Sequence, residues 1–170
     1  MRAFLACLPP PACLAALRTL QRDLRRQNGG RPLPARQLHL TLAFLGELTP
    51  LQLQDAADCA ERAAAGLPPA IELDGCGSWR DVGWCGSRHP PQPLCQWVAQ
   101  LKAALRAAGI DVEARPYRPH VTLLRRLDRP LPPQALPTLT MPLEEVVLLA
   151  SELRPDGARH HRLDGWRRPR

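Results

Sequence analysis

Two short stretches decide how this chain is read: His39-Leu40-Thr41-Leu42 and His120-Val121-Thr122-Leu123. Both follow one pattern: histidine, apolar, threonine, apolar. In a β-strand successive side chains point to opposite faces, so residues two apart share a face. His39 and Thr41 therefore face one way and Leu40 and Leu42 the other. His120 and Thr122 likewise oppose Val121 and Leu123. Two such strands supply two imidazoles and two neutral hydroxyl donors to one anionic substrate.

A single such triplet would be read as a structural histidine on a strand. Duplication changes that, because His89, His160 and His161 all lack a threonine two residues on. The flanks, QLHLTLAFLGEL and RPYRPHVTLLRR, carry the match further. They resemble the paired H-x-T-x signatures of the 2H phosphoesterase superfamily, in particular the bacterial and archaeal RNA 2′,3′-cyclic phosphodiesterases once called 2′-5′ RNA ligases. The similarity extends to Arg2-Ala3-Phe4-Leu5-Ala6 near the start and Ala150-Ser151-Glu152-Leu153 near the end.

Length and composition agree with a single enzyme-sized unit. The chain has 170 residues, of which 45% are hydrophobic, enough for one packed core. It has no apolar run of membrane-spanning length. Its apolar start is broken by Pro9-Pro10-Pro11 and does not read as a signal peptide. Cys7, Cys13, Cys59, Cys76, Cys85 and Cys95 are scattered without a C-x-x-C pair, which argues against a zinc site. They read as buried, reduced thiols of a cytoplasmic protein. The net charge of +7 favours a polyanionic partner, nucleic acid above all. All but one of the 23 basic residues are arginine, which suits bidentate phosphate contacts; the exception is Lys102. Abundant Ala, Pro and Arg also fit a GC-rich genome.

Along the chain, residues 2–8 read as a buried strand ended by the proline triplet. Leu14, Leu17, Leu20 and Leu24 recur at helical spacing, and Gly29-Gly30 closes that helix. Residues 31–36 read as a Pro-interrupted loop before the first motif strand, 37–45. Thr49-Pro50-Leu51-Gln52 has the form of a capping box and opens an Ala-rich helix to about residue 65. Strands at 70–73 and 82–85 follow. Trp79 and Trp84 read as packing residues, with base stacking the alternative, and His89 takes no role. Leu94, Trp97, Val98, Leu101 and Leu105 mark the next helix, stopped by Gly109. After the second motif strand, residues 127–142 carry five prolines and read as a linker or irregular crossover. Two final strands, 143–153 and 159–166, flank the turn Arg154-Pro155-Asp156-Gly157.

This uneven mixture of strands and helices predicts an α+β fold, not a doubly wound sheet. The resemblance implies one bilobal 2H phosphoesterase domain over residues 1–170: two lobes of antiparallel sheet with outer helices, around a central cleft that carries both motifs. It also implies hydrolysis of RNA 2′,3′-cyclic phosphate ends to 2′-phosphates, with reversible 2′-5′ ligation as a side reaction. In that scheme His39 resembles the proton donor to the leaving 3′ oxygen and His120 the base that takes a proton from water. The sequence alone does not say which histidine plays which part. Thr41 and Thr122 would bind the phosphate oxygens. Arg125 is a further phosphate candidate, because the resembling family commonly has a basic residue there. On a regular strand, however, it would point away from His120. Tyr117 and Arg118 are candidates for lining the cleft. No metal or other cofactor is called for, and the enzyme is expected to act as a monomer. The alternatives are a non-catalytic RNA-end binding module and a 2H hydrolase of a small cyclic nucleotide.

Overall fold

The computed structural model describes residues 1–170. Its strands and helices run β1 (Arg2–Cys7), α1 (Pro11–Asn28), β2 (Arg31–Pro32), β3 (Leu40–Glu47), α2 (Pro50–Ala64), β4 (Ala70–Trp79), β5 (Val82–Gly86), α3 (Gln92–Ala107), β6 (His120–Arg125), β7 (Gln134–Pro142), β8 (Glu145–Arg154) and β9 (Gly157–Arg167). The strands form one antiparallel sheet in the order β7-β4-β5-β6-β3-β1-β8-β9, with β2 added to β6. The fold is α+β, as the sequence predicts.

The two lobes are the two halves of this sheet. One half is β7-β4-β5-β6 and the other is β3-β1-β8-β9. They join through a single residue pair, Leu40 with Val121, which lies inside the two motifs. Alternation then sorts the side chains. Leu40, Leu42, Val121 and Leu123 are at most 1% exposed and enter the large core cluster, together with Leu17 of α1, Ala60 of α2 and Leu101 of α3. Burying each of the leucine and valine side chains among these is worth about 1.5–3 kcal/mol. A one-residue slip of either motif strand would expose its pair of apolar side chains and bury a histidine and a threonine in their place, so burial fixes the face on which the histidines stand. On that opposite face Phe4, Ala6, Val147 and Leu149 form a small separate cluster.

Local chemistry sets the helix ends. Pro11 occupies the first turn of α1, where its missing N–H costs nothing. At α2 the capping box forms: Thr49 Oγ1 accepts from Gln52 N at 3.2 Å, and Thr49 N donates to Gln52 Oε1 at 3.1 Å. Buried Gln21 of α1 donates to the carbonyls of Leu33 and Leu123, at 2.9 and 2.8 Å, tying the helix to the β6 backbone.

Two sequence expectations are corrected. The proline-rich segment before residue 143 contains a nine-residue strand, β7. It lies at the sheet edge, where a missing N–H breaks no ladder, and Pro137 falls within the register shift opposite β4. Likewise, residues 31–36 are not all loop. Arg31 and Pro32 pair with Arg125 and Leu124, and Ala35–Gln37 form a 3-10 turn.

Candidate active site

Continued by one residue each way, the Leu40–Val121 pairing sets His39 opposite Thr122 and Thr41 opposite His120. The ladder between β3 and β6 goes no further. Beside this junction lies an open cleft of about 550 Å³ lined by His39, Thr41, His120 and Thr122.

Both imidazoles are held in the same way. His39 Nδ1 lies 2.7 Å from the carbonyl of Gln37, and His120 Nδ1 lies 2.8 Å from the carbonyl of Arg118. A carbonyl only accepts, so Nδ1 carries the hydrogen in each ring. Each Nε2 is then the working nitrogen, able to accept a proton when the ring is neutral and to donate one when it is charged. Thr41 Oγ1 lies 2.9 Å from His39 Nε2 and donates to it when the ring is neutral. Burial lowers the His39 pKa to about 4; the nearby positive charges of His160, His120 and Arg125 push the same way, and the Gln37 carbonyl opposes them. Burial also lowers the pKa of His120, against its bond to Arg118.

Arg125 lines the same cleft, and a bulge explains how. Trp84 pairs with Thr122 and Gly83 with Leu124, so Leu123 is an extra residue in β6. A bulge shifts the alternation by one position. Leu123 and Leu124 are both buried, and Arg125 comes round to the side of His120. Tyr117 is not among the cleft-lining residues; it lies behind the site, and its hydroxyl donates to the Thr41 carbonyl at 2.7 Å. Arg118 gives its carbonyl to His120, while its side chain lines a separate hollow.

The family model for the 2′-5′ RNA ligase superfamily matches residues 9–154. The chain belongs to the 2′-5′ RNA ligase superfamily. Among relatives of known name, the RNA 2′,3′-cyclic phosphodiesterase of Thermus thermophilus is 35% identical, over 92% of this chain and 85% of that one. The Escherichia coli protein of the same name is 34% identical, over 82% and 80%. The crystal structure of E. coli LigT complexed with 3′-AMP superposes with a TM-score of 0.83 at 28% identity, covering 99% of this chain and 98% of that one.

Within this superfamily member, the cleft also contains groups that the motifs do not reveal. His160 on β9 stands T-shaped to His39 with ring centroids 5.4 Å apart, and Phe4 packs 5.0 Å from His39. His160 Nδ1 is buried without a partner. It pairs across the sheet with Ser151, inside the Ala150–Leu153 stretch already matched to the family, and nothing in its own sequence neighbourhood marks it. Arg2, Arg31, Arg36, Arg125 and Arg159 surround the cleft, against the single carboxylate of Asp156. No three of the His, Cys, Asp and Glu side chains gather closely enough to hold a metal ion. All six cysteines are unpaired, and five are buried.

Proposed function

We propose that the protein hydrolyses RNA 2′,3′-cyclic phosphate ends to 2′-phosphates by two-histidine general acid/base catalysis. The observation that carries this reading is the junction itself. Two H-x-T strands meet at Leu40–Val121 above one arginine-rich cleft, with both imidazoles anchored through Nδ1, which leaves Nε2 of each ring as the nitrogen for proton transfer. His120 Nε2 takes a proton from water as its oxygen attacks phosphorus. The bond to the ribose 3′ oxygen breaks, and His39 Nε2 gives that oxygen its proton. The names of the relatives and the 3′-AMP complex of LigT support a nucleotide substrate. This division of roles follows the family resemblance.

Thr41 and Thr122 donate to the non-bridging oxygens where charge accumulates, and Arg125 neutralises it. Reversal, with an RNA 5′-hydroxyl in place of water, would give a 2′-5′ linkage. One chain carries both histidines, so a single bilobal domain acting as a monomer suffices. Its free thiols fit a reducing compartment, the cytoplasm.

The deciding experiment is turnover of an oligonucleotide ending in a 2′,3′-cyclic phosphate. His39→Ala and His120→Ala are each expected to lose a factor of roughly 10² or more, the scale of positioned proton transfer. Near-normal turnover in either variant would sink the two-histidine scheme. Turnover is also expected to survive exhaustive chelation. Loss on chelation with recovery on adding Mg²⁺, Mn²⁺ or Zn²⁺ would assign the chemistry to a metal instead.

A further inference from the structure

Across His120 from the cleft lies a second hollow of about 640 Å³. The two share His120 and no other residue. The wall of this hollow is aromatic. Trp79 and Trp84 stack with ring centroids 4.9 Å apart at 32°, and Trp79 meets His120 at 4.6 Å with the rings at 85°. Trp79 is 37% exposed, whereas an indole serving only as core would be covered. Trp97 shows the contrast: it is buried, and its Nε1 donates to the Ala63 carbonyl at 2.9 Å.

The backbone makes room for the platform. Gly77 pairs with Trp84, and a Cβ there would lie 2.8 Å from Trp84 Cζ2. The bare backbone lets the indole lie against β4. Trp84 Nε1 is buried without a hydrogen-bond partner, so packing against Gly77 and Trp79 places the ring. Arg88 and Arg118 line the same hollow, and neither guanidinium is in an ion pair; the Arg88 backbone N–H donates to the Asp74 carboxylate at 2.8 Å, but no carboxylate lines the hollow itself.

A planar aromatic face beside two unpaired guanidinium groups suits a nucleobase and its phosphate. Bases stack on Trp largely regardless of sequence, and Arg pairs with phosphate oxygens. We infer that this hollow is a nucleobase subsite, which stacks one base of the RNA strand on Trp79 and meets the adjoining phosphate with Arg88 and Arg118. The inference rests on the phosphodiesterase reading above, because that reading places the ribose phosphate beside His120. The base belongs either to the terminal nucleoside or to the one before it.

Three substrates separate these sources: a methyl riboside 2′,3′-cyclic phosphate with no base, a nucleoside 2′,3′-cyclic phosphate, and a dinucleotide ending in one. Trp79→Ala is expected to lower kcat/KM for base-bearing substrates roughly ten-fold more than for the base-free one, the scale of a lost base–aromatic stack. Trp79→Phe should restore most of that difference. A gap already present with the nucleoside assigns the hollow to the terminal base. A gap that opens only with the dinucleotide assigns it to the preceding base. An equal loss on all three substrates would overturn the subsite and leave Trp79 as a wall for His120. Failure of the phosphodiesterase reading would look different, because the wild type would then open none of the three. In that case, quenching of indole fluorescence by a nucleoside 3′-monophosphate but not by inorganic phosphate, and its loss in Trp79→Ala, would uphold the subsite. Absence of base-dependent quenching would overturn it.

Discussion

In the proposed scheme one imidazole must donate a proton, which an environment that strips its charge opposes, and His39 sits in such an environment. Burial holds its pKa near 4 and also lowers that of His120, so at neutral pH both rings of the free protein are neutral. The proposed two-histidine catalysis needs one proton shared between the rings, and apparent pKa values belong to the pair. The profile of kcat/KM, which reports the free protein, is therefore expected to be a bell with its optimum below pH 6.5, the ordinary histidine value. A bound phosphate anion favours protonation, so the bell for kcat should lie at higher pH. The two profiles measured on one oligonucleotide check this; a kcat/KM that climbs through a single ionisation to a plateau would leave only one titrating group. The same burial has a stability consequence. Between about pH 6.5 and 4 the unfolded chain binds a proton at His39 that the folded chain does not, so stability falls as pH falls through that window. His39→Gln should remove that part of the slope in denaturant unfolding measured at several pH values.

At the scale of strands, the site depends on how closely β5 approaches β6. Gly86 pairs with His120, and a Cβ at Gly86 would lie 2.6 Å from the Pro119 carbonyl oxygen and 3.3 Å from His120 Cβ. Gly86→Ala must therefore push the start of β6 away. We expect a loss of about 1–3 kcal/mol in stability, the usual cost of overpacking, and a fall in kcat larger than any change in KM. Thermal unfolding and steady-state kinetics together test it; unchanged values for both would mean that the strand pair has slack. What was legible in the sequence follows the same logic of elements. His39, Thr41, His120 and Thr122 could be placed on one face because period-two alternation and the apolar partners Leu40, Leu42, Val121 and Leu123 are local features. The Thr49–Gln52 cap was legible for the same reason. The bulge at Leu123 was not, because an extra residue is defined only against the strand opposite, and so Arg125 could not be oriented from its own segment. Strand β7 was hidden by its prolines, which are tolerated because the strand is at an edge, a property of the whole sheet. His160 reaches His39 only through the order β3-β1-β8-β9, to which no local pattern points.

Across the whole molecule, charge is distributed so that function and excess basicity coincide. The net charge is +7, and the cleft gathers five arginines around one carboxylate. Arg36 is exposed on the cleft rim and pairs with no acidic side chain, while Arg31 spends one N–H only on the backbone carbonyl of Asp156, at 3.3 Å. Such guanidinium groups gain little within the folded chain itself, and their concentration at the cleft makes sense for a ligand with more than one phosphate. Each phosphate that the protein neutralises on a single strand displaces condensed counterions, contributing about −0.7 to the slope of log Kobs against log[salt]. A mononucleotide carries no such flanking phosphates. Binding of an oligonucleotide, measured on the His120→Ala protein, should therefore weaken more steeply with salt than binding of a mononucleotide. Arg36→Gln should flatten the oligonucleotide slope by about 0.7 and leave the mononucleotide slope nearly unchanged. Equal slopes for the two ligands would mean that only the terminal phosphate is held, and that the arginines around it reflect the composition of the chain rather than an RNA track.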